Sequence, residues 1–124
     1  MSTGLENLWI YKLAEDLEIE VREITKLFPR DEIYRSVDQL RRSSCSVSNN
    51  IAESYYKMSI KEKLRFISMS KGELEETRRN IMRSLRKNFI TQERAEYLFE
   101  KYTILLKGIN AYSKFIMLNK PRTN

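Results

Sequence analysis

The chain of 124 residues carries 23 Lys and Arg against 17 Asp and Glu, a net charge of +6, with no His, one Cys, three Gly and two Pro. That length suits one domain with a real core, and so few Gly and Pro beside abundant Leu, Ile, Glu, Lys and Arg suits helices. Without His and with one Cys, Ser-His-Asp and Cys-His nucleophile pairs, His-bearing metal sites and thiolate zinc sites cannot be built, so neither an enzyme nor a metal is expected.

From Ile10 the apolar set Ile10, Ala14, Leu17, Val21, Ile24 and Phe28 steps by four and three residues, which predicts a first helix closed by Pro29. Ser36 with Gln39 reads as a capping box for a second helix. Ile33, Val37, Leu40, Ser44, Val47 and Ile51 continue the stepping there, to about Tyr56. Ser59 with Glu62 reads as another capping box, and Ile60, Leu64, Ile67, Ser70, Leu74, Thr77, Ile81 and Leu85 trace one face of a long third helix ending near Asn88. Thr91 is a candidate cap for a fourth, in which Ala95, Leu98, Tyr102, Leu105, Ile109, Tyr112 and Ile116 share a face. Connections this short place neighbouring helices antiparallel. The expected fold is therefore all-α, an up-down-up-down four-helix bundle over residues 1–118, with a basic tail at 119–124 that frays.

The second helix contains the stretch "QLRRSSCSVSNNIAES" (39–54), whose serines and paired asparagines are mediocre helix formers. Ser43, Ser44, Cys45, Ser46 and Ser48 are small on every side, so a neighbouring backbone can approach closely, and packing can outweigh propensities worth under about 1 kcal/mol per residue. Asn49 and Asn50 need partners if buried.

Charge is uneven along the chain: residues 1–29 carry net −3, residues 30–72 net +4, residues 73–100 are balanced, and residues 101–124 carry net +5. Polyanions such as RNA or DNA are the expected partners of such a surface. No GxxxxGK[ST] or GxGxxG occurs, since Gly4, Gly72 and Gly108 are scattered, so no nucleotide cofactor is expected. No apolar run approaches 18 residues and no charged-then-apolar leader opens the chain, so neither a membrane partner nor secretion is expected, and a cytoplasmic location is the default.

The stretches "LWIYKLAEDL" (8–17), "LFPRDE" (27–32), "QLRRSSCSVSNNIAES" (39–54) and "FISMSKGELEE" (66–76) stand in an order and spacing that resembles a known family. It is that of the bacterial four-helix-bundle proteins encoded in intervening sequences of large-subunit (23S) rRNA genes. Tyr11 stands where that pattern usually has Trp, Ser43 and Ser70 where it has Ala, Ser54 where Gly is common, and Glu73 where Ser is usual. The resemblance implies a bundle that assembles as a homo-oligomer, a cyclic pentamer forming a barrel. That family is also similar to the accessory variability determinant proteins of diversity-generating retroelements, which implies RNA or DNA and a reverse transcriptase as partners, and no small-molecule substrate.

Arg41 and two basic regions are candidate nucleic-acid contacts. Arg41 and Arg42 are adjacent and diverge by about 100° on a helix. Either one contacts phosphate, or one pairs with Glu53, Glu75 or Glu76; for Arg42, among small and apolar neighbours, pairing is the expectation, and Arg41 stays open. "TRRNIMRSLRKN" (77–88) carries Arg78, Arg79, Arg83, Arg86 and Lys87 with no acid, and its spacing aligns the last four into a stripe able to track a phosphate backbone. A solvated face complementing the helix dipole is the competing reading. Lys57, Lys61 and Arg65, with Lys71, form a further basic region at the start of the third helix, where the dipole offers no explanation. Tyr11, Arg42, Ser46, Asn50, Glu53, Gly72 and Glu76 are expected to be structural or interface residues. Trp9, Tyr102 and Tyr112 are expected to pack in a core or interface rather than stack on bases, and Cys45 to be an inert packing residue. The expected function is non-catalytic nucleic-acid binding by an oligomeric bundle, with a protein-interaction scaffold as the alternative.

Overall fold

The computed structural model describes residues 4–119, and among these there is no strand. Four long helices run in the order α1 (Trp9–Thr25), α2 (Asp38–Tyr56), α3 (Ile60–Arg86) and α4 (Gln92–Leu118). Short 3-10 turns precede α1 (Leu5–Asn7) and follow it (Arg30–Glu32), and a π turn (Ile33–Val37) leads into α2. Of the tail expected at 119–124, residues 120–124 lie outside the described residues, while Asn119 closes α4, its N–H donating to the Phe115 carbonyl (3.1 Å).

The stepping of the apolar residues becomes one shared core. Ile10, Ala14, Leu17 and Val21 of α1 are fully covered, as are Leu40, Val47 and Ile51 of α2, Ile67, Leu74 and Ile81 of α3, and Leu98, Tyr102, Leu105 and Ile109 of α4. Each helix packs against two others, α1 on α2 and α4, and α3 on α2 and α4. Removing that apolar surface from water, at roughly 25 cal/mol per Å2, is the main favourable contribution to the fold.

The helix ends follow the sequence in two places and depart from it in one. Ser59 accepts from the Glu62 N–H (3.1 Å) and Thr91 from the Arg94 N–H (3.2 Å), as their positions predict. The Ser36–Gln39 box does not form. The Glu32 carboxylate instead accepts from the Ser36 N–H (3.2 Å), and the chain is already winding through the π turn when it reaches Ser36, which is buried. A charged acceptor satisfies an orphan helix N–H more strongly than a hydroxyl does, and this bond is the main cause holding the Glu32 carboxyl below its ordinary range. Arg35 and Lys87 lower it further. The end of α3 closes with Asn88 in the left-handed region (φ 63°), its N–H donating to the Leu85 carbonyl (3.0 Å) and that of Phe89 to Ser84 (2.9 Å). Phe89 then packs on Phe28, with ring centroids 5.4 Å apart.

The serine-rich stretch of α2 is where α3 comes nearest. The Ser70 hydroxyl of α3 donates to the Val47 backbone carbonyl of α2 (2.8 Å), and Thr77 donates to the Ser43 hydroxyl (2.8 Å). So short a side chain reaches a neighbouring backbone only where the two helices nearly touch, and Ser43, Ser70 and Thr77 are all fully buried. Ser44, Ser48 and Ser54 bond to the Arg41, Cys45 and Ile51 carbonyls of α2, and Ser48 also reaches Glu18 of α1 (3.3 Å). Close packing and the hydrogen bonding of the buried hydroxyls thus offset the modest helix propensity of these residues. A second close approach joins α1 to α4: a Cβ added to Gly108 would run into the indole of Trp9 and lie 2.7 Å from Ile10 Cγ2. Trp9 is therefore an interhelical contact on one face, yet it remains half exposed on the other, less buried than its place beside the seam predicts.

Candidate nucleic-acid interface

The basic residues divide into those the fold engages and those it leaves to solvent. Arg41, left open by the sequence, is engaged: its Nε donates to Thr25 Oγ1 (2.8 Å) and its Nη2 to the Arg22 carbonyl (3.4 Å). It thereby satisfies acceptors at the C-terminal end of α1, where a cation also complements the helix dipole. Arg42 reaches Glu76 of α3 (3.4 Å), the expected pairing. The pair stands on the surface rather than among buried neighbours, since the two side chains keep 54% and 30% of their exposure. In the region at the start of α3, Lys57 pairs with Glu53 (3.5 Å) and Arg65 with Glu62 (3.4 Å), both lying over the Phe66 ring at 5.0 and 4.7 Å. Lys61 is exposed beside them and Lys71 half-buried. Exposed pairs of this kind are worth ~0–1 kcal/mol, so they reduce free positive charge here without locking it.

The last two turns of α3 differ. Arg79, Arg83 and Arg86 are exposed, and none has a carboxylate partner among the described residues; Arg83 donates to the Asn80 amide oxygen (3.1 Å). Lys87 lies 5.9 Å from the Phe89 ring. Arg78 departs from the sequence reading, in which its segment held no acid. Its Nη1 pairs with Glu75 Oε1 (2.7 Å), one turn earlier, and its guanidinium carbon sits 4.2 Å over the Phe99 ring of α4, leaving the side chain 18% exposed. Arg78 Nε is buried without an acceptor. Together Arg78, Arg79, Met82, Arg83, Arg86, Phe99 and Glu75 line a hollow of about 320 Å3 between α3 and α4. A second hollow of about 420 Å3 is lined by Arg83, Arg86 and Lys87. Met82 and Phe99 carry no sequence signal for this role, because both lie one residue from the buried seam positions Ile81 and Leu98 and differ from them only in direction.

The residues expected at structural or interface positions have varied surroundings. Tyr11 donates to Glu15 (3.1 Å), and Asn50 donates to the Ser46 carbonyl (2.8 Å), so both act within their own helix. Gly72 is exposed, and a Cβ there would meet nothing within 4 Å. Glu73 Oε2 is buried without a partner, and burial first, then Glu76, push the Glu73 carboxyl above its usual range, while Arg42 opposes them. Burial followed by the charge of Glu18 raises the Cys45 thiol, which disfavours the reactive thiolate. Tyr102 is completely buried, Tyr112 half-buried, and neither faces the arginine hollow. Among the described residues no three metal-ligating side chains cluster, and no helix is long and apolar enough to cross a membrane.

The fold and this surface define an all-α, four-helix protein with an arginine-lined hollow between α3 and α4. The chain belongs to the 23S rRNA-intervening sequence protein family, whose model matches residues 6–111. A crystal structure of a protein with unknown function from the S23 ribosomal protein family of Bacteroides thetaiotaomicron is similar, with a TM-score of 0.79 at 19% identity over 85% of this chain and 95% of that one. At that identity the likeness is one of fold. No curated protein matches the sequence.

Proposed function

We propose that the chain is a non-catalytic, cytoplasmic protein that binds RNA or DNA through the outer face of α3 and its junction with α4. The observation that carries this reading is the group Arg79, Arg83 and Arg86, exposed and without a carboxylate partner among the described residues. From the first to the last of these three the helix rises seven steps, about 10.5 Å, enough to face two or three successive phosphates. Helix-dipole complementarity is an incomplete account of them, because Arg79 sits two turns before the end of α3. Antiparallel neighbours are part of the proposal, supported by hydrogen bonds that descend α2 as they climb α3, from Ser70 with Val47 to Thr77 with Ser43. The resemblance noted in the sequence extends the proposal to a homo-oligomer, a cyclic pentamer, akin to retroelement accessory proteins.

Fluorescence anisotropy with labelled oligonucleotides tests the binding. Log affinity should fall linearly with log salt concentration with a slope of about −2 to −3, as for three phosphate contacts, and reversing Arg79, Arg83 and Arg86 to Glu should weaken binding on the order of 100-fold. Binding that ignores both salt and the triple reversal would overturn the reading. One observation favours the scaffold alternative, in which a protein such as a reverse transcriptase docks on the oligomer: a hollow of about 500 Å3 between α1 and α4 exposes Ile19 and Tyr97 within a charged rim of Glu20, Glu23, Glu93 and Arg94.

A further inference from the structure

We infer that the hollow between α3 and α4 is a seat for unpaired nucleotides rather than a landing surface for a duplex; this deepens the nucleic-acid reading and rests on it. The walls and the floor of the hollow have different chemistry. Arg79, Arg83 and Arg86 are exposed, free of carboxylates and suited to phosphates, whereas the floor is Phe99, Arg78 and the partly exposed Met82.

Arg78 is unlike the other three. Glu75 neutralises it at 2.7 Å and the Phe99 ring lies beneath it at 4.2 Å, so its planar group is held in place and contributes little net attraction to a polyanion. A fixed guanidinium plane backed by a ring is a platform on which a base can stack, and the Met82 thioether beside it adds apolar contact.

Only an unpaired strand can use both surfaces. A duplex keeps its bases stacked inside and offers a convex rail of phosphates, which can reach Arg79, Arg83 and Arg86 but leaves the floor uncovered. A single strand can lay two or three phosphates along the span from Arg79 to Arg86 while turning a base down onto the Arg78–Phe99 stack. Specificity for base identity is not expected, because stacking and phosphate contacts are common to all four bases.

The test compares a fluorescein-labelled 12-nucleotide single strand with the blunt duplex of the same sequence, against the full chain, by anisotropy at fixed salt. The single strand should bind at least about tenfold more tightly, and Phe99→Leu, which removes the ring under Arg78, should weaken single-strand binding about tenfold while leaving duplex binding and the salt slope unchanged. Met82→Ala, at an exposed position that folding does not need, should lower the single-strand affinity by a smaller factor and decides the matter alone if Phe99→Leu lowers the melting temperature. Equal or tighter duplex binding overturns the inference and leaves nucleic-acid binding standing. A single-strand preference that neither substitution alters overturns it as well. Failure of both oligonucleotides to bind at low salt removes the broader reading along with it.

Discussion

Arg41 near the start of α2 and Arg83 near the end of α3 are the same residue type on the same kind of amphipathic helix, and they meet opposite fates. The guanidinium of Arg41 is drawn inward to Thr25 and the Arg22 carbonyl, so it holds α1 to α2. Arg83 reaches only an amide of its own helix, and with Arg79 and Arg86 it faces solvent. The difference lies in what the neighbouring helix presents. Beside Arg41 stands the end of α1 with acceptors to satisfy; beside Arg83 and Arg86 stands a hollow whose one carboxylate, Glu75, is already taken by Arg78. A count of basic residues therefore overstates the free positive surface at Arg41, as it does at Arg65 and Arg78, and describes it fairly only over Arg79, Arg83 and Arg86.

The contrast can be broken experimentally, most strongly at α3. Reversal of Arg79, Arg83 and Arg86 to Glu should cost on the order of 100-fold in affinity for an oligonucleotide at low salt, whereas Arg41→Glu should change affinity less than about threefold, measured by anisotropy. Next in size is stability: Arg41→Met should cost about 1–2 kcal/mol in urea unfolding, because the buried Thr25 hydroxyl and an end carbonyl of α1 lose a charged donor. The same change at Arg86 should fall within about 0.5 kcal/mol of the parent. Smaller again is Arg42 with Glu76, where a double-mutant cycle should return a coupling below about 0.5 kcal/mol, since the pair is largely exposed.

The smallest effect concerns Glu73, close to that pair. Its folded-state affinity for a proton is raised by burial and by Glu76, so the folded chain binds that proton more tightly than the unfolded chain does. Ionising Glu73 therefore destabilises the fold, and the penalty grows as pH rises through the ordinary carboxylate range and is complete above its raised folded value. Glu73→Gln should raise the melting temperature at pH 7 and give no gain at pH 4. Glu32 has the opposite sign: its carboxyl is lowered by the Ser36 N–H, so the stability it contributes is present above the unfolded carboxylate value and is lost as pH falls through the folded one.

Much of the fold was legible because helical period is a local property. The seam from Ile10 to Phe28 and the capping residues Ser59 and Thr91 could be placed by counting along the chain. The Ser36 cap could not, since whether the chain starts winding at Glu32 or at Ser36 depends on a π turn that no spacing announces. In the candidate site, the stripe of Arg79, Arg83 and Arg86 was legible from its spacing. The withdrawal of Arg78 onto Phe99 and Glu75, and the platform it creates, was not.

By itself the sequence determined four amphipathic helices, their buried edges and where positive charge is concentrated, because each depends on residues three or four apart on one helix. Which arginine is tied and which is free was decided only by tertiary structure. A charge finds its partner within about 4 Å of space, and the residues that enter that radius, such as Thr25 for Arg41 and Phe99 for Arg78, lie 16 and 21 positions away along the chain.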